Sequence, residues 1–120
     1  MTINSYRDLK VWQGAMKLAK QCYFLTREFP REEIYGMTSQ IRRAAASVPA
    51  NIAEGYGRES TRDYIRFLHI AQGSLKETET HLILAGEVEL TDAERAAPLL
   101  SLADEIGRML RSLIRSLESR

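Results

Sequence analysis

The side chains that could bind a metal ion are few and irregularly spaced. Di-iron sites in helical proteins place a glutamate three residues before a histidine, but the residue at that offset from His69 and from His81 is an arginine or a threonine. Glu77 and His81, four residues apart, offer two ligands, whereas a zinc site needs at least three from the protein. We therefore expect no metal and no cofactor.

The side chains that could act as nucleophiles lack the partners that catalysis requires. Cys22 is the single cysteine and lies near an apolar face of its segment, where a buried structural thiol is expected. The loop GYGRES, residues 55–60, has two glycines. It lacks the Lys-Ser/Thr ending and the preceding strand of a phosphate-binding loop. We therefore predict that the protein is not an enzyme.

Arginine side chains are the remaining candidates for a functional site, because a guanidinium group can bind phosphate. The candidate contacts to nucleic acid are Arg42, Arg43, Arg58, Arg62 and Arg66. The formal net charge is only +1, which argues against a dedicated, strongly basic nucleic-acid module. The charge is uneven, however, with net +3 in residues 1–30 and net −3 in residues 63–90. Exposed helix faces carry such arginines without any ligand, so ordinary solvated charge is the alternative interpretation.

Four amphipathic segments must position these arginines. Apolar residues recur at helical spacing in residues 5–29, 37–55 and 60–86, and in a fourth segment that begins near Thr91. The connections between them are short, which favours neighbouring helices of opposite direction. The sequence predicts an all-α protein with one domain, residues 1–120, folded as an antiparallel up-down-up-down four-helix bundle. Pro49 interrupts the second segment while the apolar stripe continues on both sides, which predicts one helix kinked at Pro49.

The same patterns predict helix ends and faces. Ser60 should cap the third helix and Gly86 should end it, while Thr91 and Glu94 form a capping box for the fourth. Pro98 should bend the fourth helix or mark its start. The predicted core face of the first helix comprises Leu9, Trp12, Met16, Ala19 and Tyr23, with Ala15 and Cys22 alongside. Apolar residues outside the main core faces exceed what one four-helix core needs, so some of them are expected to line a subunit interface. The candidates include Val11, Phe24, Ile65, Ile70 and Ile83.

Two polar residues follow Pro49 closely and need hydrogen-bond partners. We expect Asn51 and Glu54 to bond backbone groups that the proline leaves free. A contact between subunits is the alternative. Away from these residues, no apolar run approaches the roughly 20 residues that cross a bilayer, and the opening MTINSYRDLKVWQ is polar. With a lone cysteine, these features predict a cytoplasmic protein without a membrane segment.

Three stretches carry a family resemblance. TSQIRRAAASVPANIAEGYGRES, residues 38–60, is similar to the signature of the four-helix bundle proteins encoded in 23S rRNA intervening sequences. SYRDLKVWQGAMKLA near the start resembles that family's opening, and DYIRFLHIAQGSLKETETHL, residues 63–82, resembles its third helix. More distantly, the chain resembles the accessory protein of diversity-generating retroelements, a pentameric bundle with a basic surface that binds nucleic acid and a reverse transcriptase.

The resemblance implies an antiparallel four-helix bundle that assembles into a ring-like homopentamer. It assigns no roles to individual residues. Besides three of the candidate arginines, the matched motif contains Pro49, Asn51, Glu54, Gly55 and Tyr56.

Two functions of different classes follow. The first is a non-enzymatic homo-oligomer, pentameric by resemblance, that binds RNA or DNA through arginines gathered in the assembly. The alternative is an oligomeric scaffold for protein partners without nucleic-acid binding, in which the arginines pair with acids such as Glu77, Glu79 and Glu87 of a neighbouring subunit. Self-association is common to both.

Overall fold

The computed structural model describes residues 2–120, so Met1 of the predicted domain lies outside them, and within this range it contains four α-helices and no β-strand. The helices are α1 (Lys10–Thr26), α2 (Met37–Tyr56), α3 (Thr61–Glu87) and α4 (Ala93–Glu118). Short 3-10 helices, Tyr6–Asp8 and Arg31–Glu33, precede α1 and α2. The prediction of an all-α protein with four helices is confirmed.

Each helix contacts the next one along the chain, and α1 also contacts α4. Within residues 2–120, α1 does not approach α3, and α2 does not approach α4. The four helices therefore enclose one central core, as bundle helices do when sequential neighbours are adjacent. All four contribute fully buried large side chains to it: Leu18, Ile41, Ile52, Leu68, Leu75, Leu82, Ile106 and Leu110.

The core face of α1 differs from the predicted one. Met16 and Tyr23 are 45% and 42% exposed, so their assignment to the core was wrong. Val11, one of the candidates for a subunit interface, is buried in the core. Both stripes are apolar and both follow helical spacing, so periodicity alone did not distinguish them. The stripe that is buried comprises Val11, Ala15, Leu18, Cys22 and Leu25.

Of the other interface candidates, Ile65 is partly buried and packs against the core. Phe24, Ile70 and Ile83 are exposed. In α2 the predicted stripe is confirmed, because Ile41, Ala45, Val48 and Ile52 are fully buried. Pro49 lies inside α2, which continues past it as one helix. A kink at that position stays a prediction.

The predicted cap of α3 at Ser60 is confirmed, whereas the predicted end of α3 at Gly86 is wrong. The Ser60 hydroxyl accepts a hydrogen bond of 3.1 Å from the Asp63 amide, as an N-cap does. At the other end, α3 continues through Gly86, and the left-handed residue is Glu89, with φ of 65°. The Leu90 amide donates to the Ala85 carbonyl at 2.9 Å, which closes the helix in a Schellman motif.

Asp92, rather than Thr91, caps α4. The Asp92 carboxylate accepts a hydrogen bond of 2.8 Å from the Arg95 amide, whereas the Thr91 hydroxyl is buried with no partner in the part of the chain that the structure describes. An ionised carboxylate at this position also interacts favourably with the helix dipole. Pro98 lies within α4, five residues after its start at Ala93, so it does not mark the start of the helix.

Gly55 allows α2 and α3 to approach closely. A Cβ atom at this position would lie 2.8 Å from the Cβ of Phe67 and 3.2 Å from the carbonyl oxygen of Tyr64. Neither atom belongs to the flexible end of a side chain, so neither can move without moving α3. Any larger residue at position 55 must therefore push the two helices apart.

We predict that Gly55→Ala lowers the free energy of unfolding by about 1–3 kcal/mol, the usual cost of overpacking. Gly73→Ala is the matched control, because Gly73 is also helical and a Cβ there meets nothing within 4 Å. It should raise the free energy of unfolding by about 1 kcal/mol, since alanine favours helix more than glycine does. Urea titration followed by circular dichroism measures both. Equal effects of the two substitutions would show that the close approach is not a constraint.

Candidate nucleic-acid interface

The turn between α2 and α3 brings three of the candidate arginines together. Arg58 follows the end of α2, and Arg62 and Arg66 lie in the first two turns of α3. The guanidinium carbons of Arg58 and Arg66 are each 4.6 Å from the centre of the Phe67 ring. Phe67 is buried, with only 8% of its surface exposed. Two cations thus cover one aromatic ring, an arrangement that cation–π attraction favours.

Each of these two arginines has an acidic neighbour on its own segment. Arg58 forms a 2.7 Å ion pair with Glu54, and Arg66 lies 3.9 Å from Asp63. All four side chains are about half exposed, so solvent screens both pairs and each contributes little to stability. A phosphate oxygen could therefore replace either carboxylate at small energetic cost.

Arg62 differs from its two neighbours. It is exposed, and it makes no ion pair or side-chain hydrogen bond within residues 2–120. The α2–α3 turn therefore presents one unengaged guanidinium group beside two that rest on Phe67. This cluster of Arg58, Arg62 and Arg66 is the arginine turn.

Arg42 and Arg43 lie elsewhere. They are near the start of α2, roughly 20 Å from its end at a rise of about 1.5 Å per residue. Nε of Arg42 donates to the Thr26 hydroxyl at 2.9 Å, and its guanidinium carbon lies 4.7 Å from the centre of the Tyr23 ring. Thr26 in turn donates to the Cys22 carbonyl at 2.8 Å. Arg42 therefore connects α2 to α1.

Arg43, the next residue, is exposed and has no ion pair or side-chain hydrogen bond among the residues described. The structure thus does not bring the two adjacent arginines to the arginine turn, and it gives them different environments. Their adjacency in the sequence placed them in one group, but successive residues of a helix point about 100° apart.

The polar motif residues have partners within the fold. Asn51 donates from its amide to the Ser47 carbonyl at 2.8 Å and to the Ser47 hydroxyl at 2.9 Å. That hydroxyl lies 2.9 Å from the Ser74 hydroxyl, so the network joins α2 to α3. The carbonyl that Pro49 leaves without a helical hydrogen bond is that of Ala45, not that of Ser47. The expectation that Asn51 bonds a backbone group freed by the proline was therefore wrong.

The remaining motif residues also lie at the α2–α3 contact. The Glu54 carboxylate pairs with Arg58 rather than with backbone, so its expected partner was wrong as well. The rings of Tyr56 and Tyr64 meet edge to face, with centres 6.1 Å apart. Burial, and secondarily the neighbouring Tyr56, raise the pKa of Tyr64. The family motif of α2 is thus largely the set of residues that holds α3.

The residues weighed for catalysis and for metal binding do not form one site. Cys22 is fully buried, and burial raises the pKa of its thiol to about 12, which keeps the thiol protonated near neutral pH. Nε2 of His81 lies 3.4 Å from the Glu77 carboxylate. Residues 2–120 contain no group of three or more side chains placed to hold a metal ion.

An apolar groove of ≈ 540 Å³ lies between α1 and α2. Its walls include the exposed face of α1, with Trp12, Met16 and Tyr23, and small residues of α2 such as Ala46 and Ala50. None of the helices in residues 2–120 combines the length and the apolar character that a membrane-spanning helix requires.

We predict that Arg42→Ala lowers the free energy of unfolding by about 1–2 kcal/mol, because it removes a charged hydrogen bond and a cation–π contact between helices. Arg43→Ala is the matched control and should stay within about 0.5 kcal/mol of wild type. Chemical denaturation measures both. A stability loss in Arg43→Ala as large as in Arg42→Ala would contradict this division of roles.

The chain matches known proteins over most of its length. The model of the 23S rRNA-intervening sequence protein family matches residues 7–112. A solved structure with 28% sequence identity and a TM-score of 0.78 covers 87% of this chain and 97% of its own. That structure is of a protein of unknown function from the S23 ribosomal protein family of Bacteroides thetaiotaomicron. A search of curated proteins finds no match. The chain therefore belongs to the 23S rRNA-intervening sequence protein family.

Proposed function

We propose that this protein is a non-enzymatic, homo-oligomeric protein of the cytoplasm that binds RNA or DNA through arginine side chains gathered in the assembly. The observation that carries the proposal is the arginine turn. There the packing of α2 on α3 places Arg58, Arg62 and Arg66 together, with Arg62 unengaged. Contacts to phosphate supply most of the affinity of non-specific nucleic-acid binding, and arginine is well suited to them.

The family context supports a nucleic-acid ligand. The matching family is named for the intervening sequences of 23S rRNA, and one similar solved structure is named as a member of the S23 ribosomal protein family. These descriptions apply to the relatives, and they favour nucleic acid over other polyanions as the ligand of this chain.

We also infer that the helices alternate in direction and that α2 is kinked at Pro49. Contacts between α2 and α3 support the alternation: Gly55 meets Phe67, whereas Ser47, earlier in α2, meets Ser74, later in α3. The other helix pairs behave in the same way. Gly14 lies beside Ile106, whereas Glu28, near the other end of α1, forms an ion pair with Arg95.

Self-association is supported by exposed apolar side chains, which a lone subunit would leave in water. Ten large apolar side chains are exposed in residues 2–120. Seven of them lie in residues 19–46 and 75–105: Tyr23, Phe24, Ile34, Tyr35, Ile83, Leu84 and Val88. Tyr35 is 94% exposed. A pentamer is the assembly that the family resemblance implies, and in it these residues would be covered by neighbouring subunits.

We predict that the protein elutes as an oligomer. Multi-angle light scattering after size exclusion should give a mass several times the 13.7 kDa of one chain, with about five chains expected. Replacing Phe24 with Asp should shift the mass downward, because it places a charge in the apolar contact. Gly73→Asp offers a control on an exposed helix position without an apolar side chain. A monomeric wild-type protein would overturn the proposal.

We further predict binding to structured RNA that weakens steeply with salt. The observed affinity should fall linearly on a log–log plot against salt concentration, because phosphate contacts release counterions. Arg62→Ala, which removes the unengaged guanidinium group of the arginine turn, should lower the slope by about one. No binding at low salt, or binding that salt does not affect, would exclude this function.

The exposed apolar residues also favour the second candidate, an oligomeric scaffold for protein partners without nucleic-acid binding. Among the acids that could meet arginines of a neighbouring subunit, Glu87 is exposed, while Glu77 and Glu79 have partners on α3 in His81 and Lys76. Affinity purification with and without nuclease separates the two candidates. Protein partners retained after nuclease treatment, together with no bound RNA or DNA before it, would favour the scaffold.

A further inference from the structure

We propose that the nucleic-acid backbone binds across one end of the bundle, where α1 and α3 begin and α2 and α4 end. We name this the basic end. The proposal rests on the proposed function and gives it a location, and most of the residues it assigns are not those that sequence spacing identified.

Contacts between helices define the basic end. Gly55, near the end of α2, meets Phe67, near the start of α3. Trp12, near the start of α1, lines one groove with Ala53 of α2. Gly14, in the second turn of α1, lies beside Ile106 and Met109 in the second half of α4. The start of α1, the end of α2, the start of α3 and the end of α4 therefore lie together.

Other contacts define the opposite end. Arg95, at the start of α4, forms an ion pair with Glu28, just after α1. Arg42, near the start of α2, bonds Thr26 at the end of α1. The last turns of α3 line a groove with the first turns of α4. We name this the acidic end.

Charge divides between the two halves of the bundle. Residues 2–18, 47–74 and 106–120, which form the basic half, contain ten Lys and Arg against five Asp and Glu, for a net charge of +5. Residues 19–46 and 75–105, which form the acidic half, contain seven Lys and Arg against eleven Asp and Glu, for a net charge of −4. The near-neutral total of the chain thus conceals two halves of opposite sign.

Most cations of the basic half are available. Within residues 2–120, only three of its ten form ion pairs: Arg58, Arg66 and Arg108. The others include Arg62 near the start of α3, Arg115 near the end of α4 and Arg120 just after α4, all of which are exposed. Eight of the ten cations are arginines, the residue whose planar guanidinium matches a phosphate with two hydrogen bonds.

Aromatic rings accompany the charge. Tyr56 and Tyr64 form one edge-to-face pair, and Tyr6 and Trp12 form another with ring centres 5.3 Å apart. All four rings are half-buried, so each is held by the fold and also reaches the surface. Rigid, partly exposed aromatic rings beside cations are the features that single-stranded nucleic acid uses for base stacking.

An acidic surface on another copy of the chain could also meet the basic end, but the distribution of apolar residues favours nucleic acid. Seven of the ten large apolar side chains that are exposed in residues 2–120 lie in the acidic half. Subunit contacts need apolar surface at their centre. The acidic half is therefore better suited to assembly, which leaves the basic end for a charged, hydrated ligand.

The test compares two triple variants that change the net charge equally. The first, Arg62→Gln, Arg115→Gln and Arg120→Gln, removes cations of the basic end. The control, Lys20→Gln, Arg27→Gln and Arg31→Gln, removes exposed cations of the acidic half. Fluorescence anisotropy with a labelled oligouridylate, over a series of KCl concentrations, measures the affinity and its salt slope for the full-length protein.

We expect the basic-end variant to lose about tenfold or more in affinity and about 0.7 in salt slope for each phosphate contact removed, as for single strands. The control should stay within about twofold of wild type. Equal losses in both variants, or a larger loss in the control, would overturn the location while leaving the proposed function standing.

Two further outcomes complete the test. A wild-type protein that does not bind the oligonucleotide or structured RNA would overturn the proposed function and the location together. A basic-end variant that keeps its circular dichroism and melting temperature but changes its mass in light scattering would show that this end is a subunit contact, which would also overturn the location.

Discussion

The close approach of α2 and α3 at Gly55 is the constraint on which the rest of the candidate interface depends. Because glycine has no side chain, the backbone of α2 reaches the Cβ of Phe67. That distance fixes Phe67 beneath Arg58 and Arg66 and sets Tyr56 against Tyr64. A methyl group at position 55 would separate the helices and release all of these contacts at once. The α2 motif therefore has a structural reason that requires no ligand.

The two helices also share a polar network further along, and it explains why the motif contains an asparagine. Asn51 and Ser47 of α2 reach Ser74 of α3 through their side chains. Satisfied polar groups between helices fix how one helix is rotated and positioned against the other, because any other register leaves them without partners. Gly55 sets the separation of α2 and α3, and this network sets their register. Together they determine where the arginine turn lies.

Much of the fold could be predicted from the sequence, because apolar residues in α2, α3 and α4 are confined mainly to one face. α1 was the exception. Its second apolar stripe, with Met16 and Tyr23, faces a groove beside Ala46 and Ala50 of α2. Which stripe enters the core depends on the neighbouring helix, so α1 alone could not reveal it. The prediction of where α3 ends was wrong for a related reason. Glu89 adopts the left-handed conformation that glycine usually supplies, whereas Gly86 stays helical.

The arginines show the same limit, and they also show how the net charge of a chain can mislead. Arg42 and Arg43 are the same residue type at adjacent positions, yet Arg42 connects two helices and Arg43 is free.

A net charge of +1 argues against a nucleic-acid surface only if opposite charges are close enough to cancel. The bundle is 46 Å long, whereas exposed charges are screened beyond about 8 Å at physiological ionic strength. A ligand at the basic end therefore experiences mainly the cations near it and little of the net charge of −4 in the acidic half. In a helical bundle this long, the position of each charge along the axis, which only the packing of the helices determines, governs what each end can bind.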